Sequence, residues 1–301
     1  MGFKSGFITI IGRPNVGKST LLNRLAGEKI AIMSDKPQTT RNTIKTIVTK
    51  DDFQIIFIDT PGIHKPKNKL GEYMVNSAQN DLNEVDIVMY MVEAGDEQPG
   101  AGDLFIIDIL KNIKTPIFLI VNKIDLVEKE KLLVQIANFS EHLDFKAVIP
   151  ISATQNQGID LIFEEAKKNL PEGPKYFPDD MVTDQPEKVI AAEMIREKAI
   201  NLLKDEVPYG IGVEVISFKE RKNSDIIDIK ANIYCEKQTH KGIIIGKGGR
   251  VLKEIGTQSR KDIENLLGSK VYLELWVKVK ADWRNDSNML RELGYTAREN
   301  S

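Results

Sequence analysis

Residues 12–19, GRPNVGKS, place two glycines, a lysine and a serine between an apolar run and a segment of helical periodicity. At a turn from strand to helix, glycines let the backbone bend around an anion, and the helix N-terminus adds partial positive charge. Lys18 would reach the β- and γ-phosphates of a nucleotide, and the Ser19 hydroxyl would ligate a Mg²⁺ ion that bridges them. The residues predicted to form this phosphate cradle are Gly12, Asn15, Val16, Gly17, Lys18, Ser19 and Thr20.

A second motif, DTPG, directly follows the apolar run of residues 53–58. Its position puts the Asp59 carboxylate at a strand end, where it can hold the hydration shell of the same Mg²⁺ ion. Gly62 offers a backbone N–H that can approach a γ-phosphate because no Cβ is in the way. Alone, the tetrapeptide is typical of an ordinary Pro-Gly turn. Behind a phosphate cradle it indicates a loop that loss of the γ-phosphate would release.

A third motif, NKID, follows the apolar run of residues 117–121 and ends at Asp125. A carboxylate there can accept two parallel hydrogen bonds from a ring N–H and an exocyclic amine, a donor pair that guanine has and adenine lacks. A site built on that pair rejects the other base, because it would leave buried polar groups unpaired. Three further groups would complete the pocket: the Lys123 stem on the purine face, the Asn122 amide tying the loop to the cradle, and a backbone N–H of Ser152 or Ala153 bonded to the guanine oxygen.

Residues 246–249, GKGG, lie between two helical patterns in the last third of the chain. A glycine-rich link of this kind lets a sugar-phosphate backbone approach closely while Lys247 neutralises phosphate. Isolated GxxG sequences are common in structural turns, but here the predicted order is helix, strand, strand, helix, GxxG, helix, strand. We expect Trp276 and Trp283 to be core residues rather than base-stacking platforms. The residues predicted to bind RNA are Lys241, Ile243, Ile244, Gly246, Lys247, Gly248, Gly249 and Arg250.

The elements around the first three motifs predict how they are positioned. Short continuous apolar runs at residues 87–92 and 117–121 are typical of strands buried on both faces of a parallel sheet, and helical patterns lie between them. The β-branched runs at 43–49 and 53–58 predict a hairpin. The alternation indicates a doubly wound α/β domain, in which ligands bind at the carboxyl ends of the strands.

A proline-rich stretch separates two predicted domains. Residues 171–178 contain three prolines and a glycine, and they interrupt the periodicity. We therefore predict a first domain over residues 1–172, a linker over 173–185 and a second domain over 186–301.

Composition narrows the class of protein. A chain of 301 residues with 41% hydrophobic content is long enough for two domains with buried cores. The formal charge is only −2, which is far from the strongly basic balance of a general nucleic-acid binder. The single cysteine, Cys235, cannot form an internal disulfide, and no unbroken apolar stretch is long enough to cross a bilayer. We expect no secretory signal, because the N-terminus lacks its charged and apolar regions.

The ordered set GRPNVGKS, PQTTRN, DTPG, NKID and SA resembles the translation-factor-related GTPases, and among them it is most similar to the Era family. The resemblance covers essentially the whole chain, because that family joins such a GTPase domain to a C-terminal KH domain. It implies an α/β P-loop GTPase domain with a mostly parallel, doubly wound sheet, followed by an α+β type II KH domain. It also implies that Thr40 is the switch I residue that ligates Mg²⁺ when GTP is bound.

By the same resemblance, the chain would be a GTP-hydrolysing switch that binds the single-stranded 3′ region of small-subunit rRNA and acts in assembly of the small ribosomal subunit. Its cofactors would be GTP or GDP and Mg²⁺. We expect a cytoplasmic monomer, with peripheral association at the inner face of the cell membrane, reported for the family, as an alternative. Two other functions stay open: an RNA-binding scaffold whose guanine nucleotide does not turn over, and a P-loop ATPase or kinase, against which Asp125 argues.

One absence bears on the chemistry. Ras-type GTPases carry a glutamine shortly after DxxG that orients the attacking water, whereas Ile63 immediately follows Gly62 here. An apolar side chain cannot exchange a proton, so catalysis must come from the cradle, Mg²⁺, positioned backbone groups or a group supplied from outside. Within the chain, the residues predicted to be catalytic are Lys18, Thr40, Gly62 and Asn15. Related GTPases with an asparagine at the position of Asn15 use it to help bind K⁺ near the phosphates, and we take a K⁺ ion here as a hypothesis.

Overall fold

The computed structural model describes residues 2–34, 36, 39–61, 66, 68–82, 84–222 and 224–295. They group into two compact units, each with its own β-sheet. The first unit comprises Met1–Ala31, Thr40–Pro66 and Met74–Asp184. The second comprises Ile32–Thr39, Lys67–Tyr73 and Gln185–Ser301. Within the described residues, every helix is too short or too polar to span a lipid bilayer.

The first unit contains a six-stranded sheet with the order β2-β3-β1-β4-β5-β6. Strand β2 runs antiparallel to β3, and every other neighbouring pair is parallel. The hairpin predicted from the β-branched runs is the β2–β3 pair, and the mostly parallel sheet is confirmed. The strands are β1 (Lys4–Gly12), β2 (Ile44–Thr49), β3 (Phe53–Asp59), β4 (Ile87–Glu93), β5 (Ile117–Asn122) and β6 (Ala147–Pro150).

Helices cover both faces of this sheet. One apolar core contains Leu22 of α1 and Ile162 of α5, and the other contains Ile107 of α3 and Phe139 of α4. Neighbouring residues of β4 belong to different cores, which is why buried parallel strands appear as continuous apolar runs. The helices between the sheet strands and after β6 are α1 (Lys18–Ala26), α2 (Lys69–Asp81), α3 (Ala101–Leu110), α4 (Lys129–Ser140) and α5 (Ile159–Asn169).

The parallel register brings the three polar motifs to one edge of the sheet. β1 ends at Gly12, β3 ends at Asp59 and β5 ends at Asn122. Ile10 pairs with Asp59 across β1 and β3, and Glu93 pairs with Asn122 across β4 and β5. The motifs therefore lie together because parallel strands align their carboxyl ends.

The second unit contains a three-stranded sheet with the order β7-β8-β9. β7 and β8 are antiparallel, with a register shift between Val215 and Ser217, whereas β8 and β9 are parallel. The predicted order of helices and strands around GKGG is confirmed. The elements are α6 (Glu187–Leu202), β7 (Gly212–Glu220), β8 (Ile226–Cys235), α7 (Gln238–Ile245), α8 (Arg250–Leu267), β9 (Lys270–Val279) and α9 (Ser287–Glu292).

The segment predicted as a linker, residues 173–185, contains neither helix nor strand. Hydrogen bonds attach its first part to the sheet of the first unit. The Gln54 side chain accepts from the Tyr176 N–H at 2.7 Å, and the Ile47 N–H donates to the Val182 carbonyl at 2.8 Å. These bonds explain why residues up to Asp184 group with the first unit.

Candidate active site and nucleic-acid interface

The loop from β1 to α1 has the strained backbone expected of a phosphate cradle. Gly17 has φ 106° and Asn15 has φ 69°, both in the left-handed region. A Cβ added to Gly17 would lie 2.3 Å from Nδ2 of Asn122, so both conformation and space require glycine. The first N–H groups of a helix lack intrahelical acceptors, and this N-terminus is therefore suited to an anion.

Lys18 is buried at the centre of this loop. Its Nζ donates to the carbonyls of Gly12 at 3.1 Å and Arg13 at 3.0 Å. Burial lowers the pKa of Lys18 to about 8, and the nearby Asp59 carboxylate opposes that shift. A phosphate in the cradle would restore the charged form of the ammonium group, because it would add negative charge beside it.

Three side-chain oxygens predicted as Mg²⁺ ligands converge next to the cradle. Ser19 Oγ lies 3.1 Å from Thr40 Oγ1. Each hydroxyl also lies within hydrogen-bonding distance of Asp59 Oδ2, at 3.3 Å, and can donate to it. Asp59 is fully buried, and its Oδ1 has no hydrogen-bond partner among the described residues. Burial raises the pKa of Asp59 to about 6. Hard oxygen ligands around an unsatisfied carboxylate fit Mg²⁺, which would supply charge neutralisation at the phosphates when bound.

The NKID residues begin at Asn122, the last residue of β5, and continue into a short 3₁₀ turn. Asn122 is buried, and its Nδ2 donates to the Val16 carbonyl at 2.8 Å, as predicted for a tie between this loop and the cradle. Lys123 has φ 67°, and its Nζ forms an ion pair with Glu93 Oε2 at 2.8 Å. The Asp125 carboxylate lies in a short 3₁₀ turn and is exposed. Both acceptor oxygens of Asp125 are therefore accessible to a base.

The backbone amides predicted to bind the guanine oxygen already make hydrogen bonds within the protein. The Ser152 N–H donates to the Gln157 carbonyl at 3.0 Å, and the Ala153 N–H donates to Asn122 Oδ1 at 3.0 Å. A guanine oxygen would therefore share one of these N–H donors with its present acceptor or replace that acceptor. Arg24, which the sequence did not single out, supports this loop by donating from Nε to the Ala153 carbonyl at 3.2 Å.

Sequence analysis also missed a set of polar residues that contact Arg13 of the cradle loop. Arg13 Nε lies 3.0 Å from Asp103 Oδ2, and its Nη2 contacts Asp96. Asp103 also accepts from the Tyr90 hydroxyl at 2.9 Å, and burial raises the pKa of Asp103. Tyr90 lies within an apolar strand, so its hydroxyl gave no sign of a polar partner in the sequence.

Residues just before Thr40 group with the second unit. Lys36 Nζ donates to the carbonyls of Ile200 and Leu203 at the end of α6. Within the same unit, the Arg196 guanidinium donates to the Thr39 carbonyl. The chain neighbour of a predicted metal ligand is thus fixed by a buried arginine of α6, a contact that no local motif indicates.

The GKGG segment forms the turn between α7 and α8. Gly248 has φ 62°, and a Cβ added there would meet no atom within 4 Å, so its backbone surface is open to a ligand. Lys247 and Arg250 are exposed. Beside the turn lies a groove of about 430 Å³, lined by Gly249, Leu252, Lys253, Gly256, Thr257, Arg260, Leu273 and Leu275. Most of these residues were not predicted, although Lys253 and Arg260 share one helix face at a spacing of seven residues.

Two expectations for this unit need correction. Ile244, predicted to bind RNA, is 0% exposed and packs in the apolar core, so it supports the turn from inside, whereas Ile243 is 49% exposed. Trp276, expected in the core, is 41% exposed, because alternation along β9 turns its side chain to the other face of the sheet. Trp283 is fully buried, as expected, and its Nε1 donates to the Gly210 carbonyl at 2.9 Å.

The remaining predicted positions have simple placements. Thr20 follows Ser19 in the first turn of α1, Val16 is buried, and Lys241 lies on α7 and is half-buried. Gly62 and Ile63 lie outside the described residues.

Two family models match the two units. The model described as 50S ribosome-binding GTPase matches residues 7–123, and the model described as KH domain matches residues 206–284. The GTPase Era of Ruminiclostridium cellulolyticum is 63% identical over 300 residues, which is 100% of both chains. The chain belongs to the Era family of GTPases. The GTPase Era of Alkaliphilus metalliredigens is 59% identical over 295 residues, covering 98% of this chain and 100% of the relative.

Solved Era structures support the same assignment. A variant of Aquifex aeolicus Era bound to GDP·AlF4⁻ matches with a TM-score of 0.94 and 40% identity, over 98% of this chain and 100% of that one. An Era complex with MgGDPNP and nucleotides 1506–1542 of 16S ribosomal RNA matches with the same TM-score, identity and coverage. As a member of the Era family, the chain is a GTPase with a P-loop domain and a C-terminal KH domain, and its cofactors are GTP or GDP and Mg²⁺.

Proposed function

We propose that this Era-family GTPase binds the single-stranded 3′ region of small-subunit rRNA through its KH domain and acts as a GTP-dependent switch in assembly of the small ribosomal subunit. The groove beside GKGG carries the proposal. Its lining joins apolar Leu252 and Leu275 to basic Lys253 and Arg260. Apolar surface accepts unstacked bases and basic side chains bind phosphates. The Era complex with nucleotides of 16S ribosomal RNA supports this choice of RNA.

The described residues account for binding and polarising GTP. Asp125 would read the guanine edge, and the Asn122 bond to the cradle would fix the base relative to the phosphates. Lys18 would neutralise the charge that develops on the β- and γ-phosphoryl oxygens. Ser19, Thr40 and Asp59 would hold Mg²⁺, which would supply further charge neutralisation at the phosphates.

A Lys18→Ala variant tests the GTPase part against the alternative of a scaffold with a non-cycling nucleotide. We expect GTP hydrolysis to fall by about 100-fold or more, as when one transition-state donor is removed elsewhere. Lys50→Ala, which changes an exposed lysine away from the cradle, is the matched control. Hydrolysis by Lys18→Ala equal to that of the unchanged chain would favour the scaffold.

A Lys247→Glu variant tests the RNA part. We expect it to weaken binding of an RNA comprising nucleotides 1506–1542 of 16S rRNA, because a phosphate contact becomes a repulsion. Lys188→Glu, an exposed charge reversal on α6, should bind that RNA like the unchanged chain. Equal losses in both variants would indicate nonspecific electrostatic binding and would contradict a KH site.

The switch part of the proposal rests on how Lys36 and Thr39 are held. Both group with the unit that contains the KH domain. Lys36 donates to carbonyls at the end of α6, and the Thr39 carbonyl accepts from Arg196 of α6. The next residue, Thr40, is a predicted Mg²⁺ ligand. Ordering of Thr40 by the γ-phosphate would therefore change the position of the preceding residues, Lys36 and Thr39, which are bonded to α6. Linkage makes this coupling reciprocal, so RNA that favours the GTP-bound arrangement should also tighten GTP.

We also propose that the protein acts as a monomer in the cytoplasm, where its rRNA partner is. Cell fractionation should recover it in the soluble fraction with small ribosomal subunits. Recovery in membranes, released by a salt wash, would instead favour peripheral association at the inner face of the cell membrane.

A further inference from the structure

The sheet of the KH-containing unit has two unlike faces. On β9, Val271 and Val277 are buried in the apolar core, whereas Tyr272 is 50% exposed and Trp276 is 41% exposed. Successive side chains of a strand point to opposite faces, so the two aromatic rings share the face away from the core. We call this the outer sheet face and define it by Tyr272, Trp276, Lys230 and Lys278.

Exposure of these rings is not explained by packing. The chain has only two tryptophans, and it buries Trp283 completely with its indole N–H bonded. Scattered exposed aliphatic residues are normal on a protein surface, but two large aromatic rings four residues apart on one strand form a local patch. Their Cα atoms are about 13 Å apart at the usual rise of a strand.

Each ring has a cation beside it. Lys230 Nζ lies 5.9 Å from the ring centroid of Trp276, and Arg221 Cζ lies 5.6 Å from that of Tyr272. Lys278 continues the face beyond Trp276 and has no acidic partner among the described residues. Aromatic rings combined with basic side chains are what surfaces for single-stranded nucleic acid use, because bases stack on the rings and phosphates pair with the cations.

The acidic residues nearest the two rings, Asp228 and Glu274, are already paired with basic groups. Asp228 accepts two bonds from Arg221, and Glu274 lies 3.2 Å from Lys230 Nζ. Phosphates can compete for both basic groups because these pairs are exposed. The face therefore complements a polyanion better than an acidic or purely apolar peptide.

The outer sheet face and the groove beside GKGG lie on the two sides of one edge strand, β9. β9 is an edge strand of the sheet, and its Leu273 and Leu275 line that groove. Tyr272 and Trp276 alternate with these two leucines on the same strand. A strand of RNA that leaves the groove and passes around the edge at β9 would meet the aromatic rings next.

We infer that the outer sheet face is a second binding surface for single-stranded RNA, on which bases beyond the GKGG groove stack on Trp276 and Tyr272. The inference rests on the proposed RNA-binding function and extends it to the flanking nucleotides. A GxxG loop contacts about four nucleotides, so the second surface acts only on longer RNAs.

The test compares two RNAs taken from nucleotides 1506–1542 of 16S rRNA, one of about four nucleotides and one of about twelve. Trp276→Leu keeps apolar bulk but removes the stacking ring. We expect it to weaken binding of the longer RNA by about 5- to 150-fold and to leave the shorter one unchanged. Trp276→Phe should restore part of the lost affinity. Equal binding of the longer RNA by Trp276→Leu and the unchanged chain, or equal losses for both RNAs, would overturn the inference.

Fluorescence gives a readout at the ring itself. The difference between the spectra of the unchanged chain and Trp276→Phe belongs to Trp276, and the longer RNA should quench it. Quenching by RNA-free small-subunit proteins but not by RNA would assign the face to a protein partner and overturn the inference. Failure of the unchanged chain to bind either RNA, or full binding of the shorter RNA by Lys247→Glu, would count against the proposed KH function instead.

Discussion

The Asn122 side chain joins two loops that lie far apart in the sequence. Its Nδ2 donates at 2.8 Å to the carbonyl of Val16, 106 residues away, and its Oδ1 accepts at 3.0 Å from the Ala153 N–H. One buried amide thereby fixes the phosphate cradle relative to the loops around the base. Recognition of the base and placement of the phosphates are mechanically linked for this reason.

Asn122→Ala should weaken binding of GDP and GTP alike. Loss of buried hydrogen bonds of this kind is worth about 1–3 kcal/mol, which corresponds to about a 5- to 150-fold change in affinity. Equilibrium titration with a fluorescent GDP analogue measures it. Asn138→Ala, which removes a surface bond to the Glu97 carbonyl at 2.7 Å, is the matched control. Unchanged affinity in Asn122→Ala would mean that the tie has no role in binding.

Asp125→Asn should change which base is bound. An amide cannot accept the two parallel N–H groups of guanine, because it replaces one acceptor with a donor. We expect GTP binding to fall by at least about 100-fold, and xanthine nucleotides, with a carbonyl in place of the amine, to bind better than GTP. Competition between GDP and XDP measures the change. Asp144→Asn, at another exposed carboxylate of the same unit, should retain guanine preference.

Mg²⁺-dependent nucleotide binding should weaken as pH falls through about 6. Burial raises the pKa of Asp59 to about 6, and only the ionised carboxylate can hold the metal shell. The sign for Mg²⁺-free folding is opposite: a raised carboxyl pKa favours the folded state at low pH, and that stability is lost as pH rises from about 4 to about 6. Nucleotide affinity with and without Mg²⁺ at about pH 5.5 and 7.5 measures the first effect, and the Tm of the Mg²⁺-free protein from about pH 4 to 7 measures the second. Asp59→Asn should abolish both pH steps, and their persistence would assign them to another group.

Hydrolysis should be faster in K⁺ than in Na⁺ buffers. The loop residue Asn15, held at φ 69°, lies where a monovalent cation could add charge beside the phosphates. Asn15→Ala should remove the difference between the two salts, measured at saturating GTP because Asn15 also belongs to the predicted phosphate cradle. Equal turnover of the unchanged chain in both buffers would contradict the K⁺ hypothesis.

Lys36→Met should uncouple RNA binding from the nucleotide. Lys36 Nζ donates to carbonyls at the C-terminal end of α6, where the helix dipole favours a cation. Without these contacts, RNA affinities measured with GDP and with a non-hydrolysable GTP analogue should approach each other. Lys50→Met, at an exposed lysine between β2 and β3, should keep the ratio of the unchanged chain. A ratio unaffected by Lys36→Met would place the coupling elsewhere.

Much of the fold followed from local patterns. The apolar runs at β4 and β5 predicted buried parallel strands because helices cover both faces. Helix α2 was not predicted, although Leu70, Met74 and Ala78 recur at helical spacing and are all buried. The remaining residues of α2 are mostly polar, so the helical spacing of these three apolar residues was overlooked.

The candidate site likewise contains residues that the sequence predicted and residues that it did not. Residue types at Ser19 and Asp59 predicted oxygen ligands for a metal, and Lys18 predicted a phosphate contact, because each residue lies directly at a strand end or helix start. The Arg13, Asp103 and Tyr90 cluster escaped prediction, since its members are far apart in the chain and none belongs to a motif. RNA binding at GKGG was predicted, but the groove beside it was not defined by the motif, because most of its lining comes from α8 and β9.

By itself, the sequence determined which chemical groups stand at the turns, because glycine conformation, carboxylate acceptors and a lysine charge are properties of single residues and their neighbours. Tertiary structure decided which of these groups meet, and which side chains face solvent. Ile244 is in the core and Trp276 is at the surface because strand and helix packing assigns each side chain to a face, and that assignment depends on elements distant in the chain.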